Sequence, residues 1–363
     1  MKIIEITSYG EFTKLQDEWN TLLSQCDNDS VFLRHEWFRV WWCNFSNKNK
    51  LLILLAKKNG RLIGIAPLIQ SRCKFLGISF NSIEFMANTH SCRCDFIIIP
   101  NERINVLNKI ENYLIKHRKN WKLLRFRDWS NDSRNKNYFK SLIENSVAIT
   151  SDEGIMCSPY IRIRGEWKNY MSSLKSHFRS NLRRRERLLK QKGEVKIEVI
   201  KHSDSLESDL LEGFQIEYSG LKGNNGTAII AEKHVYDFYN ELAHMAQANG
   251  WLRLHFLKVN GQRIAFSYTL SYKKCIFLLK IGHLPKYARY SPGQILRMHE
   301  IKLAFQENYN LYDFLGFDMK WKYDWNPIIQ THQYLVIYKK HLFFLLYYFL
   351  LKKYRLIKKL SAD

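Results

Sequence analysis

Residues 287–296 read YARYSPGQIL and follow CIFLLKIG (275–282), an apolar run patterned as a buried strand. Helical spacing resumes at Ile295, so Ser291-Pro292-Gly293 stands where a helix begins. The first turn of a helix leaves backbone N–H groups without intrahelical acceptors, and such amides hold phosphate. The same residues also suit a plain cap with Pro in the first turn. Elsewhere, His90, Cys92 and Cys94 in HSCRCD have the side-chain types of metal ligands. No second pair at finger-like spacing accompanies them, and no metal site is expected. Serine-histidine-acid and cysteine-histidine nucleophile signatures are also lacking, which argues against a covalent intermediate on the enzyme.

The elements that must position these residues show a repeated pattern. LLILLAKKNGRLIGIAPLI (51–69) and LRLHFLKVNGQRIAFSYTL (252–270) each place Asn-Gly between two apolar runs. Asn-Gly is the strongest short signal for a two-residue hairpin, because both central residues of its turn need positive φ. The recurrence predicts two tandem α/β domains. After the second hairpin come the strand 274–282, the YSPGQ segment, a helix with Ile295, Met298, Ile301 and Phe305 on one face, and a short strand in YNLYDFLGF (309–317). The first half has no counterpart of YSPGQ, so the second half is expected to keep the ligand site. With 363 residues, 46% apolar and 14% aromatic, the chain is a folded protein and not a disordered one. Its seven cysteines are odd in number and mostly scattered, against a disulfide framework. The amino terminus lacks signal-peptide features, so a cytoplasmic location is expected. The formal charge of +23 favours anionic partners.

Taken together, HEWFRVWW, NGRLIGIAPL, FRSNLRRRERLL, LKGNNGTAI, LRLHFLKVNGQRIAFSY, YARYSPGQIL and LYDFLGFDMKWKYDW resemble the GNAT acyltransferase superfamily. The similarity is to its tandem-domain branch, the CelD-like and BioF-like acetyltransferases, and more distantly to FemAB-type enzymes. It runs from about Glu36 to Trp325. The branch usually has Trp-Lys-Gly where this chain has Leu221-Lys222-Gly223, and its Gly-acidic-aromatic-Tyr-Lys ending is only loosely kept from Gly316 to Tyr323. The resemblance implies an α/β fold of two tandem GNAT-like domains, each a mixed, mainly antiparallel sheet flanked by helices. Residues 1–160 would form an acceptor-shaping domain, 161–338 the acyl-CoA domain, and 339–363 a basic amphipathic helix.

The activity implied is acyl transfer from acetyl-CoA or another acyl-CoA. The acceptor would be an amine or hydroxyl of a small carbohydrate-related or amino-acid-like molecule, anionic or phosphorylated, as in cell-surface polysaccharide biosynthesis. Two strands would part to admit the pantetheine arm, with Leu279, Ile281 and Gly282 offering backbone to the thioester carbonyl. Ser291, Gly293, Gln294 and Ile295 would hold pyrophosphate on their amides, helped by Arg289. Asp313, Asp318 and Tyr323 are the candidate proton carriers, and Glu217, Lys222, His283 and Lys322 the candidate acceptor contacts. Two other readings compete with this one. The first is a FemAB-type transferase that uses aminoacyl-tRNA, and the second a non-catalytic assembly protein of a polysaccharide pathway at the membrane surface.

Two basic stretches remain. In KSHFRSNLRRRERLLKQK (175–192), Leu174, Phe178, Leu182 and Leu189 share a face, leaving Arg179, Arg183, Arg184 and Arg187 mostly elsewhere. The ligands weighed for this helix are a phosphorylated sugar precursor, the adenosine 3′-phosphate and tRNA, against a plain solvated face. In HLFFLLYYFLLKKYRLIKKL (341–360) the uninterrupted apolar run is shorter than the roughly 20 residues of a bilayer span. Two readings are open: a buried terminal helix packing Phe343, Leu346 and Leu350, and peripheral contact with an anionic inner leaflet through the basic residues that follow. Replacing Lys352, Lys353, Lys358 and Lys359 by Gln should weaken sedimentation with anionic vesicles by about 1 kcal/mol per charge, leaving neutral vesicles unaffected. Equal, salt-insensitive binding of both proteins would remove the basic run from the contact.

Overall fold

Both Asn-Gly dipeptides form the hairpins that their sequences predict. In the computed structural model, which describes residues 1–75, 78–117, 119–144, 148–220, 223 and 225–339, Asn59 and Gly60 have φ of 50° and 80°, and Asn260 and Gly261 have 49° and 81°. Each turn joins directly paired ends, Lys58 to Arg61 and Val259 to Gln262. Each hairpin also carries an irregularity at the same relative place, where Ile63 and Ile264 are passed over in the register. An Asn-Gly turn alone is common, but a turn and a bulge recurring together support duplication.

The chain forms two compact units. One contains Met1–Trp42, Ser46–Met156 and the stretch from Thr331; the other contains Cys43–Phe45 and Cys157–Gln330. In the first unit, β1 (Lys2–Ile6), β2 (Lys50–Lys58), β3 (Arg61–Phe75) and β4 (Ile78–Phe85) pair antiparallel in turn. The short β5 (Ile97–Ile98) pairs with β3. β4 then pairs parallel with β6 (Leu123–Ser130). The chain passes to the second unit within β7 (Ala148–Arg162). There β8 (Val195–Ile200), β9 (Leu252–Val259), β10 (Gln262–Tyr272) and β11 (Cys275–His283) again pair antiparallel, and β11 pairs parallel with β12 (Leu311–Asp313). β12 is flanked by the end of β7. β13 (Ile328–Lys339) closes the first unit's order against β6, so a linear division at 160 and 338 does not describe the clustering. Both units are mixed, mainly antiparallel sheets with helices, as the sequence suggested.

Each sheet encloses its own apolar core. Phe85, Phe96, Phe126, Trp129 and Phe139 pack edge to face in the first unit. In the second, the arginine-rich helix Ser176–Lys190 buries Phe178, Leu182 and Leu189 against Leu257, Ile264 and Ile295, the face its spacing predicted. Pro292–Gln306 forms the predicted helix with Ile295, Ile301 and Phe305 buried. Residues 340–363 of the expected basic tail lie outside the described residues. Among the described residues, no helix is long and apolar enough to cross a membrane.

Helix Pro292–Gln306 also carries buried charge. Arg297 and Glu300 are 1% and 2% exposed and pair with each other. The Tyr312 hydroxyl of β12 donates to Glu300 Oε2 at 2.5 Å and accepts from Arg297, while Ser267 Oγ of β10 donates to Glu300 Oε1. Removing one partner of such a pair strands the other in a dry interior. Glu300→Ala should therefore cost about 3–5 kcal/mol in urea unfolding. The paired change Arg297→Met/Glu300→Leu should recover most of that loss, and wild-type stability in Glu300→Ala would refute the role.

Candidate functional site

β11 and β12 keep company for three pairs, Cys275 with Leu311, Ile276 with Tyr312, and Phe277 with Asp313. β12 then ends while β11 runs on to His283. Just past this point the register of β11 shifts: Leu278 faces Thr269 and Lys280 faces Tyr268, so Leu279 is the extra residue of a bulge. A bulge bends its strand and re-aims the backbone, and such bulges gather beside active sites. The pairing of β11 with β12 ends at Phe277, two residues before Leu279, the first residue of the stretch expected to face the thioester. Gly282 has its own reason to be glycine. A Cβ there would stand 2.5 Å from Glu217 Cα, so helix Leu206–Tyr218 rests directly on the strand backbone.

The chain leaving β12 is turned aside by three devices. Asp313, buried at 4% exposure, accepts the Leu315 amide at 2.8 Å on its Oδ1. Leu315 and Gly316 adopt positive φ of 50° and 56°. Lys322, also buried, donates its Nζ to the carbonyls of Leu315 and Phe317. Asp313 and Lys322 therefore hold the loop that Asp318 and Tyr323 stand on. Both of the latter are exposed. The Tyr323 hydroxyl bonds to Asp318, which raises the phenol's pKa. Asp318 and Tyr323 are thus brought together at the surface, whereas the Glu217 carboxylate is buried and accepts the Ile229 amide at 2.9 Å. Lys222 lies outside the described residues.

At the helix start, Ser291 sits in the left-handed region, φ 50°, and its amide donates to Ala288 O at 2.9 Å. The Ser291 carbonyl accepts from the amides of Gln294 at 2.9 Å and Ile295 at 3.2 Å. The expectation that all four amides wait for pyrophosphate is corrected: three of them close the turn, and Gly293 supplies the remaining one. The tight turn after Pro292 is the physical reason, since it brings the Ser291 oxygen within reach of two successive N–H groups. A Cβ built on Gly293 would meet nothing nearer than His283 Nδ1, 4.0 Å away, so the backbone here has free space on its Cβ side, bordered by the imidazole. Arg289 is exposed, with its guanidinium over the Tyr290 ring and an N–H on the Tyr290 hydroxyl.

Sequence reasoning missed the connections behind this seat. Arg185 of the arginine-rich helix donates to Ser291 Oγ. Gln294 Oε1 accepts from Trp325 Nε1 at 2.9 Å, and the Trp325 carbonyl accepts from Tyr170 at 2.7 Å. The Trp325 indole meets Phe178 edge to face at 5.1 Å. No local spacing joins residues this far apart in the chain. The three-residue separation of Arg297 and Glu300 was the one signal in the sequence for the buried pair beneath the seat.

The first unit has the same parallel pair but not the same opening. β4 and β6 pair at Ser82–Leu123, Ile83–Leu124 and Glu84–Arg125. Past that point Cys94 bridges Trp129, and its amide donates to Asp128 O at 3.2 Å. The chain's own HSCRCD segment occupies the edge of β6. Buried Asp95 locks it there by accepting from the Phe96 amide, Trp129 Nε1, Asn135 Nδ2 and Ser133 Oγ.

Residues 176–323 match the acetyltransferase (GNAT) domain family, a span that holds the arginine-rich helix, β8 to β12 and the Ser291–Gly293 turn. This stretch is an acyltransferase domain. No curated protein matches the chain in sequence. Among solved structures, FemX is similar over 93% of this chain and 97% of its own, with 12% identity and a TM-score of 0.60. L-PGS from Bacillus licheniformis is similar over 94% and 95%, with 10% identity and 0.54. The C-terminal domain of a putative lysylphosphatidylglycerol synthetase from Agrobacterium fabrum is similar over 90% and 92%, with 10% identity and 0.53. At such identities the likeness is one of fold.

A second link joins the arginine-rich helix to the seat helix. Glu186 accepts from His299 and pairs with Lys190 at 3.1 Å, and these bonds hold its carboxyl at about 2, below the usual 4.5. A depressed carboxyl contributes stability that is complete above its unfolded value and is lost as pH falls toward the folded one. The stability gap between wild type and Glu186→Gln should accordingly be about 1–2 kcal/mol near neutrality, reduced by partial exposure. It should close between pH 4.5 and 2 in urea titrations. A gap that does not vary with pH would show the pair to be idle.

Proposed function

We propose that this protein is an acyl-CoA-dependent acyltransferase of the CelD-like and BioF-like kind. It would transfer an acetyl or other acyl group to an amine or hydroxyl of a carbohydrate-related or amino-acid-like acceptor, in cell-surface polysaccharide biosynthesis. The observation that carries the reading is the contrast between the two parallel pairs. In the second unit β11 runs on past the end of β12 through a bulge at Leu279, and a Cβ on Gly293 would meet no close neighbour, whereas in the first unit Cys94 and Asp95 occupy the corresponding edge.

In this reading the pantetheine arm lies along β11 where β12 has ended, and the diphosphate meets the Gly293 amide and the positive end of the helix. Backbone N–H groups near Leu279 stabilise the negative charge that develops on the thioester oxygen. The acceptor's nucleophile forms a bond to the carbonyl carbon, and the carbon–sulfur bond breaks. Asp318 takes the nucleophile's proton, and Tyr323, kept protonated by its raised pKa, gives one to the departing thiolate. Asp313 acts on this chemistry by holding the loop. The protein would work in the cytoplasm, with its basic tail at the inner face of the membrane.

Gly293→Val tests the seat cleanly, because the added side chain meets no close neighbour in the fold. Calorimetric titration with CoA should show binding to wild type and a loss of about tenfold or more in the variant, the scale of one charge-assisted hydrogen bond, at unchanged melting temperature. Absence of CoA binding to wild type would overturn the reading. Salt-sensitive tRNA binding in its place would favour the FemAB-type alternative, and binding of neither would favour the assembly-protein alternative.

A further inference from the structure

The arginine-rich helix carries more positive charge than its packing needs. Phe178, Leu182 and Leu189 already attach it to the core. On another face, Ser176, Arg179, Ser180, Arg183, Arg184 and Arg187 line an open hollow of about 510 Å³. Their spacing of three and four puts them in one stripe, and Arg179 to Arg187 spans about 12 Å at 1.5 Å per residue. Glu186, the one carboxylate of this helix, is occupied by Lys190 and His299. Among the described residues, none of the four arginines makes an ion pair, and Arg179 Nε is buried without a partner. Like charges one turn apart repel, so packing alone gives no reason to keep four of them together.

We infer that this hollow binds a nucleoside diphosphate group, with the arginines on its phosphates. Guanidinium forks match phosphate oxygens two at a time, which ammonium groups do not. The stripe carries no aromatic side chain to stack successive bases, which disfavours a nucleic-acid strand. The neighbouring residue Arg185 bonds to Ser291, which ties this helix to the seat. The nucleotide belongs either to the acyl donor, as the phosphorylated adenosine end of CoA, or to a nucleotide-activated acceptor. The inference rests on the acyl-CoA reading for its purpose in catalysis, but binding is measured independently of it.

The experiment titrates ADP, UDP, CoA and tRNA into the full chain by calorimetry at low and moderate salt. Wild type is compared with Arg183→Gln/Arg187→Gln, Arg183→Lys/Arg187→Lys, Gly293→Val and the control Arg134→Gln, an exposed arginine of the first unit. Nucleotide affinity should fall about tenfold or more in the Gln pair, and less in the Lys pair, which keeps charge but loses the forks. It should stay unchanged in Arg134→Gln. ADP preferred and competing with CoA identifies the donor's nucleotide; UDP preferred and bound together with CoA identifies the acceptor's. The inference is overturned if wild type binds neither nucleotide, if the folded Gln pair binds as wild type does, or if tRNA alone responds to the arginines. CoA binding that fails in Gly293→Val, with ADP and UDP binding both unchanged in the Gln pair, would sink this inference and leave the acyl-CoA reading standing. Nucleotide binding lost in the Gln pair, with no CoA binding in wild type, would do the reverse.

Discussion

The buried pair of Arg297 and Glu300 is the interaction on which the second unit's architecture turns. Two opposite charges at 1% and 2% exposure are tolerable only when each finds partners, and here those partners come from both neighbouring strands. Tyr312 belongs to β12 and Ser267 to β10, so one carboxylate ties the helix to strands on either side of β11. His255 of β9 sits close by, and burial pushes its imidazole pKa down, so no second cation competes for Glu300. An apolar contact in the same place would stabilise as well, but would let the helix slide. Directional bonds to Tyr312 and Ser267 set the helix against both strands.

Around this anchor the opening is built from short-range devices. A bulge at Leu279 interrupts β11 where it runs past the end of β12, and Asp313 and Lys322 hold the chain after β12 aside. Lys322 is a buried cation spent on two carbonyls, which holds a loop whose backbone already carries a non-glycine positive φ at Leu315. Trp325 adds a cross-brace, reaching Gln294 at the helix start and Phe178 on the arginine-rich helix. Phe317 and Met319 stand exposed at 75% and 50% on this braced loop, so it presents side chains instead of collapsing onto the core.

The two units illustrate how one topology holds or loses an opening. Both have the Asn-Gly hairpin, the bulge beside it, and a parallel pair of three residues. In the first unit the chain after β4 rejoins the edge of β6 in the same direction, with Cys94 bridging Trp129 in parallel, and Asp95 gathers four hydrogen bonds to keep it there. In the second the segment after β11 goes instead into the turn at Pro285–Tyr290 and the helix behind it. Cys92 and Cys94, whose side-chain types suit a metal, lie in the first unit's segment along β6.

The sequence by itself determined whatever depends on neighbours along the chain. Asn-Gly requires positive φ twice, and both hairpins formed. The three-to-four spacing of Phe178, Leu182 and Leu189, and of Ile295, Ile301 and Phe305, placed two helix faces in the core correctly. The order of strand, Ser-Pro-Gly and helix was legible for the same reason. Tertiary structure alone decided which polar groups remain available, since a hydrogen bond between distant residues leaves no periodic trace. It gave the amides of Ser291, Gln294 and Ile295 to the turn, the Asp313 carboxylate to Leu315, the Lys322 ammonium to two carbonyls, and the Ser291 hydroxyl to Arg185. Sequence can list the donors and acceptors near a site, but three-dimensional packing determines which are already committed, because a buried polar group must find a partner wherever the fold provides one.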